Sequence, residues 1–471
     1  MSLNNGAAAR PRKELILNAF TMNSPGHLSP GQWRHPRDNS HRYLDIDYWQ
    51  ELARTAEAGL LDAVFFADVL GMYDVYGGNA DAALNGGIQV PVNDPLQLIP
   101  AMAAVTEHLG FGVTASVSFE HPFPFARRMS TLDHLTKGRI GWNVVTSYLS
   151  SGALNLGLTG QEAHDRRYDV AEEYLEVCYK LWETSWQDDA MVRDALRGQY
   201  IDPAKVHAIG HQGEFFKVPG MHLSEPSTQR TPFIFQAGAS PRGVRFAARH
   251  AEAVFVAAPS KRVLAKQVAA LREALGAAGR EASSIPILNQ QLVIVGETDA
   301  EAKKMLDSYL AYADPTGALV LMSGWTGIDF AALDPNEVLS YQESNALASV
   351  VSAFTEADPD KQWTVQEIAD YARLGGDGPV IWGSPESVAD QLEEWVEETG
   401  VDGFNLAAAV LPETFSNIAH LLVPELQKRG RFKKEYRSGS LRAKLSGGSD
   451  SVDSAHASGL VRAAEWNSAR G

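Results

Sequence analysis

Short apolar runs recur along the chain, and segments with the spacing of amphipathic helices separate them. The runs cover residues 15–20, 62–69, 111–118, 139–147, 233–238, 253–258, 286–296 and 402–408. Apolar residues recur at helical spacing in 48–59, 94–110, 168–186 and 384–400. Strands that alternate with helices predict a parallel sheet, because parallel neighbours must be joined by long crossovers.

About eight strand–helix units over roughly 400 residues favour an α/β fold of the (β/α)8 TIM barrel type, with insertions. A doubly wound sheet is the alternative, and it ranks lower because no G-x-G-x-x-G turn follows the first strand. We assign the barrel to residues 15–430, a flexible N-terminus to residues 1–14 and a tail to residues 431–471. Residues 313–378 carry many turn residues between the seventh and eighth strands, which predicts an inserted lid or subdomain.

Composition and charge narrow the classes of function. The chain has 471 residues, of which 45% are hydrophobic and 21% charged, a balance typical of a globular protein with a sizeable core. Its net charge of −17 disfavours nucleic acid as a partner, because phosphate binding requires a basic surface. No apolar run reaches the ~18 residues of a spanning helix, and residues 1–12 lack the apolar core of a signal peptide. We therefore expect a cytoplasmic protein that binds neither membranes nor nucleic acids.

Polar residues gather where the predicted strands end. Asp68 closes the second strand, Thr114 lies in the third and Asn143 in the fourth. Active sites of (β/α)8 barrels lie at the carboxyl ends of the strands. A planar ligand needs hydrogen-bonding groups at its edges and apolar walls at its faces, so these residues predict a pocket for such a ligand. The alternative is that Asn143 and Thr146 merely satisfy each other inside the barrel.

The segment QAGASPRG has the features of a phosphate site. A strand ends at Gly238, Ala239 and Ser240 turn the chain, and a helix begins at Pro241. Backbone N–H groups at the helix N-terminus, together with Ser240 and Arg242, would hold a dianion. An ordinary N-cap followed by a proline explains the same residues equally well.

The remaining motifs provide weaker evidence for a functional site. His164 and Tyr168 lie at the entry of another predicted helix, where a solvated helix end is the alternative to anion binding. His207 and His211 have i, i+4 spacing but no clear helix between them, so we predict no metal site. Cys178, the single cysteine, is interpreted as a buried spacer. Neither a G-x-S-x-G nor a Walker A motif occurs.

These motifs belong to a longer resemblance. The stretches LNAFTMN, ADVLGMYDVYGG, VPVNDP, AMAAVTEHLGFGVTA, ARRMSTLDHLTKGRIGWNVVTS, EYLEVCYKLWE, FQAGAS, WTGIDF and DGFNL follow one another within about residues 15 to 440. With them the chain resembles the flavin-dependent monooxygenases of the bacterial-luciferase superfamily, in the branch named for nitrilotriacetate monooxygenase. That branch includes the dibenzothiophene-sulfone, dimethyl-sulfide and long-chain-alkane monooxygenases. The resemblance implies a bacterial-luciferase-like barrel that binds FMN reversibly.

The resemblance also implies roles for the candidate residues. The flavin ring would be lined by Asp68, Thr114 and Asn143. The ribityl chain and phosphate would be held by His164, Tyr168, Ala239 and Ser240. The catalytic pocket around the substrate would contain His27, Tyr73, Gln89 and Tyr148, with Trp325 of the 313–378 insertion in its cover.

The partners implied by the resemblance are small molecules and a second enzyme. A separate NAD(P)H:flavin reductase would supply FMN as FMNH2, and O2 would be the co-substrate. The electrons come from the flavin, whereas the protein contributes position, dryness and hydrogen bonds. A homodimer or homotetramer is expected from the family.

Departures from the family pattern bear on the substrate. Alkane-type relatives place histidines where this chain has Tyr148 and Leu321, and a cysteine where it has Ser24. Tyr148 and the GWTGIDF segment are more similar to the dimethyl-sulfide type, so a dialkyl sulfide is the best candidate. Sulfones, halogenated aromatics and long-chain alkanes are alternatives. An F420-dependent oxidoreductase and a non-catalytic flavin-binding protein are alternatives of another class.

Overall fold

The computed structural model describes residues 13–238, 240–340, 346–355, 357–358 and 360–468. Eight parallel strands lie at its centre, and each pairs with the next one along the chain. The eighth strand also pairs with the first, with Asn18 opposite Asn405, so the sheet closes. The strands are β1 (Ile16–Met22), β2 (Ala63–Ala67), β3 (Gly110–Ser116), β4 (Ile140–Val145), β5 (Phe233–Ala237), β6 (Ala253–Val256), β7 (Ile287–Val295) and β8 (Gly403–Ala407). The predicted (β/α)8 barrel is confirmed.

Helices lie between the strands and beyond them. They are α1 (Ile46–Ala58), α2 (Asp81–Gly86), α3 (Ile99–Ala103), α4 (Pro122–Thr136), α5 (Ser150–Asn155), α6 (His164–Tyr179), α7 (Pro241–His250), α8 (Lys261–Ala277), α9 (Asp299–Tyr312), α10 (Pro315–Thr326), α11 (Ala348–Thr355), α12 (Val365–Ala372), α13 (Pro385–Thr399), α14 (Glu413–Asn417), α15 (Val423–Lys428), α16 (Leu441–Ser446) and α17 (Ala457–Ser468). Within the described ranges, none of the helices combines the length and apolar character that a membrane crossing requires.

One further strand and two hairpins lie outside the barrel, and the apolar pattern does not predict them. The strand Val380–Gly383 extends the sheet beside the end of β7. Four residues after a glycine-rich turn are too few to show a period, which is why the pattern does not predict it. Between β4 and β5 lie two antiparallel hairpins, formed by Met191–Asp194 with Gln199–Ile201 and by His211–Gln212 with Lys217–Val218.

The predicted helix 94–110 is much shorter in the structure. Regular helix is confined to α3, after which the chain turns toward β3. The buried guanidinium of Arg139, just before β4, donates to the backbone carbonyls of Ala103, Thr106 and Leu109. These bonds satisfy acceptors that a longer helix would have used, so a tertiary contact overrides the local helical pattern.

Aromatic side chains fill the barrel interior below the carboxyl ends of the strands. Phe65, Phe235 and Phe255 pack with ring centroids 4.3 to 5.4 Å apart. Gly112 and Gly141 leave room for these rings, because a Cβ at either position would collide with Phe65 or Phe235. The rings form a floor, and the interior above it opens at the carboxyl ends of the strands.

The segment between β7 and β8 builds a second core above that opening. Its helices α10, α11 and α12 contribute Trp325 and Phe354 to a cluster with Leu28 and Tyr73, which come from loops after β1 and β2. The insertion is therefore packed on the end of the barrel where the predicted site lies.

The tail from residue 431 covers the opposite end of the barrel. Leu441, at the start of α16, is buried with the aromatic floor and lies against Gly110 at the start of β3. Beside it, Arg442 forms an ion pair with Glu252, at 2.6 Å between Nε and Oε1. Helix α17 packs against α6 and the turn that follows it.

Candidate active site

Two connected cavities lie at the carboxyl ends of the strands. The inner compartment has a volume of about 260 Å³ and the outer compartment about 590 Å³. Ligand pockets typically enclose roughly 300–1,000 Å³. The residues common to both walls are Asp68, Val69, Thr114, Val145, Tyr148, Ala237, Gly238, Leu347 and Ser349. One elongated ligand can therefore extend from one compartment into the other through this junction.

The structure brings ten predicted site residues to these two walls. The inner compartment is lined by His27, Tyr73, Gln89 and Asn143, the junction by Asp68, Thr114 and Tyr148, and the outer compartment by His164, Tyr168 and Ser240. Ala239, the remaining predicted residue, lies outside the described residues.

An unpaired amide oxygen lies next to the junction. Asn143 and Thr114 are opposite each other on β4 and β3, and Asn143 Nδ2 donates to Thr114 Oγ1 at 2.9 Å. The alternative pairing of Asn143 with Thr146 is therefore wrong. Asn143 Oδ1 is buried and has no hydrogen-bond partner in the described part of the chain. Such an acceptor is costly unless a ligand N–H or water completes it.

Polar side chains converge at the N-terminus of α7. Ser240 Oγ accepts from the backbone N–H of Gly243 at 3.1 Å, so the interpretation of Ser240 as an N-cap is confirmed. His164 Nε2 lies 3.4 Å from the same hydroxyl. A Cβ at position 243 would lie 2.8 Å from Tyr168 Oη, which shows how closely this phenol approaches the helix end. The helix dipole and its free N–H groups favour an anion here.

The arginines near this helix end are not arranged as the sequence predicted. Arg242 pairs with Asp169 of α6 at 3.2 Å instead of facing the helix N-terminus. Arg128 and Arg167 line the outer compartment. The guanidinium of Arg128 is bidentate to Glu120, at 2.7 and 2.8 Å. Because Glu120 also lines this compartment and neutralises Arg128, the arginine that can bring positive charge to it is Arg167 of α6.

Hydrogen bonds fix the orientation of three predicted catalytic side chains, those of Gln89, Tyr73 and Tyr148. Gln89 Nε2 donates to the His27 carbonyl at 3.0 Å, which orients Gln89 Oε1 to accept from Tyr73 Oη at 2.9 Å. Tyr73 Oη also accepts from Trp325 Nε1 at 3.1 Å. Because the Tyr73 proton is already donated, the 2.6 Å contact between the two phenol oxygens must be a bond from Tyr148 to Tyr73. Tyr148 lines both compartments, and its proton is used within this hydrogen-bond network.

Burial fixes the protonation of these groups. It raises the pKa of Tyr148 to about 12 and lowers the pKa of His27 to about 3. The His27 ring packs edge-on against Phe20 with centroids 4.5 Å apart, and its buried Nδ1 has no partner among the described residues. Near neutral pH the pocket therefore holds a neutral phenol and a neutral imidazole.

Asp68 places a carboxyl at the junction. Burial, followed by the charge of Asp94, raises its pKa to about 7, and a hydrogen bond from the Val69 amide lowers it. This carboxyl therefore changes its charge in the pH range where most enzymes work.

The chain also matches a described protein family. A family model described as luciferase-like monooxygenase matches residues 20–403. The chain belongs to this family. The polar residues at the strand ends lie at the face where (β/α)8-barrel enzymes carry their active sites.

Two relatives and one solved structure show how close the similarity is. The chain is 52% identical to the dimethyl-sulfide monooxygenase of Hyphomicrobium sulfonivorans, over 96% of this chain and 94% of that protein. It is 47% identical to the long-chain alkane monooxygenase of Geobacillus thermodenitrificans, over 92% of this chain and 94% of that protein. A crystal structure of riboflavin lyase with modified FMN and riboflavin superposes with a TM-score of 0.89, at 36% identity, over 96% and 100% of the two chains.

The site of this luciferase-like monooxygenase also contains residues that the sequence did not indicate. Gln290, Asp377 and Asn405 line the inner compartment. Asn405 lies within β8, in the stretch DGFNL that the resemblance includes. Asp377 follows two glycines, which predict only a turn. A polar residue inside an apolar strand is the one signal that could have found Gln290 and Asn405.

Proposed function

We propose that this luciferase-like monooxygenase is the oxygenase component of a two-component, FMNH2-dependent system. It would insert one oxygen atom of O2 into a small apolar organic molecule, with a dialkyl sulfide as the best candidate. A separate NAD(P)H:FMN reductase would supply the reduced flavin by diffusion or transient contact, and the oxygenase would act as a homodimer or homotetramer. The observation that carries the proposal is the unpaired acceptor of Asn143 on the inner wall, beside Thr114, which lines both cavities.

The residues present fit FMN. The unpaired Asn143 Oδ1 suits a ring N–H, and Thr114 and Asp68 supply further polar groups at the junction. At the far end, Ser240 and His164 meet at the start of α7, where a phosphate is favoured. When bound as FMNH2, the flavin would supply the electrons that reduce O2.

The predicted catalytic residues would position the substrate and exclude water, and they would not exchange protons with it. Tyr148 would not donate a hydrogen bond to a ligand, because its proton is committed to Tyr73. His27 stays neutral, since burial holds its pKa near 3. Both side chains can therefore accept a hydrogen bond or shape the cavity without carrying charge into it.

The insertion would act as the cover of the inner compartment. Trp325, Val350 and Phe354 line this cavity from α10 and α11. Their apolar surface would keep water from the reacting atoms and so limit wasteful release of hydrogen peroxide.

The presence of one neutral imidazole in the described lining favours a sulfide over an alkane. In the described lining of the inner compartment, His27 is the imidazole, and it is neutral. A thioether sulfur is a soft nucleophile that accepts an oxygen atom without loss of a C–H bond, so it requires little help from acids or bases. The higher identity to a dimethyl-sulfide monooxygenase than to an alkane monooxygenase supports the same choice.

Isotope labelling tests the proposal. Purified protein with FMNH2 under argon is mixed with buffer containing ¹⁸O2 and one of four substrates: a dialkyl sulfide, a long alkane, an aryl sulfone or a halogenated aromatic. We expect ¹⁸O in the sulfoxide. Label in another product would assign that substrate class instead. If FMNH2 neither binds nor changes its rate of reaction with O2, the FMN assignment fails and F420 is tested next.

A further inference from the structure

The inner compartment contains an acidic group for which the proposed reaction has no use. Asp377 lines this compartment, on the turn between α12 and the strand Val380–Gly383. Its Oδ1 accepts from Gln290 Nε2 at 3.0 Å, and its backbone carbonyl accepts from Tyr371 Oη at 3.4 Å. The carboxyl is therefore held on the cavity wall by residues of β7 and α12.

Close packing fixes the turn that carries Asp377. A Cβ at Gly378 would lie 2.9 Å from the carbonyl oxygen of Gln290, and one at Gly376 would lie 3.0 Å from the Trp325 ring. Gly376 also has a φ of +67°, a conformation that favours glycine. Glycines on both sides thus allow the turn to approach β7 and α10 closely, which gives Asp377 a defined position.

The charge that faces the inner compartment has one sign. The described residues of its lining include the carboxyls of Asp377 and Asp68 but neither lysine nor arginine. Burial raises the pKa of Asp377 to about 6, although hydrogen bonds from its own amide and from Gln290 lower it. At pH 8 both carboxyls are ionised, and no cation of the described lining balances them.

Aromatic rings face the same space. Phe20, Phe255, Phe354 and Trp325 line the compartment that Asp377 enters. Aromatic faces and a carboxylate together stabilise an ammonium group, by cation–π attraction and by a charge-assisted hydrogen bond. The same surroundings disfavour a substrate carboxylate, which would be buried beside like charges.

We propose that Asp377 sets the charge preference of the inner compartment: its carboxylate accepts a hydrogen bond from an ammonium or hydroxyl group of the substrate and excludes molecules with a carboxylate or sulfonate near the reacting atom. The inference rests on the proposed function, because it treats this compartment as the substrate site. The substrate class then remains small sulfides, limited to those whose substituents are uncharged or positively charged.

Three thioethers of similar size test this preference: methylthioethylamine, methylthioethanol and methylthioacetate. Their binding to the FMN-loaded enzyme is measured at pH 8 by equilibrium dialysis, so the result does not depend on turnover. We expect the wild type to bind the amine at least about tenfold more tightly than the carboxylate, and Asp377→Asn to lower this ratio about threefold or more, with the remainder due to Asp68. Asp370→Asn, a half-exposed neighbour on α12 paired with Arg373, is the matched control and should keep the wild-type ratio.

Each outcome decides the matter. An unchanged ratio in both Asp377→Asn and Asp377→Ala, equal binding of amine and carboxylate by the wild type, or no binding of any of the three would overturn the inference. Thermal melts of the variants show whether each is folded. A preserved binding preference without ¹⁸O incorporation would reject the monooxygenase reaction but keep the role of Asp377. Equal oxygenation of all three thioethers would keep the reaction and reject that role.

Discussion

Replacement of Arg442 with methionine tests whether the tail stabilises the barrel through a buried ion pair. Arg442 donates to both carboxylate oxygens of Glu252, at 2.6 and 2.8 Å, and to the carbonyl of Thr231 at 2.8 Å. The two charged side chains are 1% and 7% exposed. Methionine fills a similar space without charge, so Glu252 would remain buried with the Ile234 N–H as a donor.

The expected loss follows from the burial of this pair. Removal of one partner from a buried ion pair costs about 3–5 kcal/mol. An unfolding entropy of about 2.1 cal/mol/K per residue gives about 1 kcal/mol/K for 471 residues, so Tm should fall by about 3–5 °C. Arg437→Met is the control in the same tail. Arg437 pairs with Glu14 at 2.8 Å, but the two side chains are 64% and 44% exposed, and such pairs contribute at most about 1 kcal/mol.

Calorimetry between pH 7.5 and pH 5 checks the magnitude and the sign. Burial raises the pKa of Glu252, but the charge and hydrogen bonds of Arg442 outweigh it and leave the pKa lowered. In the wild type this contribution is present above the usual glutamate pKa and is lost as the pH falls through the lowered one. In Arg442→Met burial alone raises the pKa of Glu252, so the deficit should shrink toward pH 5. The double variant Arg442→Met/Glu252→Gln should recover part of the loss. Equal Tm values for the two single variants, or a deficit that grows on acidification, would refute the reasoning.

Three further predictions concern the site. Ser240→Ala should weaken FMNH2 binding about tenfold in a fluorescence titration, whereas Ser384→Ala, which removes a similar N-cap from α13, should lose only helix stability; equal affinities would contradict the phosphate assignment. Trp325→Phe removes the donor to Tyr73 but keeps a ring, so peroxide released per NADH should rise while FMNH2 affinity stays unchanged; unchanged coupling would count against a role for this bond. Because His27 has a folded pKa of about 3, its unfolded form takes up the proton first, and its contribution to stability is lost as the pH falls below about 6.5, by about 2 kcal/mol at pH 5. His27→Gln should reduce the dependence of stability on pH in urea unfolding curves by this amount, while His222 and His456 keep their share, and an unchanged dependence would contradict the neutral imidazole.

Local sequence predicts those parts of the molecule that depend on local periodicity. The eight barrel strands and the capped helix α13 follow from apolar runs and from Ser384 and Gly400 at the helix ends. The site residues on strand ends, such as Thr114 and Asn143, could be predicted because parallel strands of a barrel bring their carboxyl ends together. The resemblance to the flavin-dependent monooxygenases then predicted FMN as the ligand of these residues.

Other features depend on contacts between distant segments and leave no local signal. The helix predicted over 94–110 is shorter in the structure because the Arg139 guanidinium donates hydrogen bonds to backbone carbonyls of this segment. Asp377 reaches the inner compartment because its turn closes on Gln290, which lies 87 residues earlier in the chain. The direction of the bond between Tyr148 and Tyr73 follows from the orientation of Gln89, which a sequence does not contain.

The buried ion pair under the tail and three buried amide oxygens at the site differ in how completely they are hydrogen-bonded. At the end covered by the tail, Arg442 donates to Glu252 and to backbone carbonyls, so its charge is fully used. At the end that carries the site, the side-chain oxygens of Asn143, Gln236 and Asn405 are buried without partners in the described structure. Each such oxygen costs about 1–3 kcal/mol, and a fold keeps that cost where a ligand repays it. These three oxygens line the two cavities, so their unmet hydrogen bonds point to the same ligand site as the shape of the cavities.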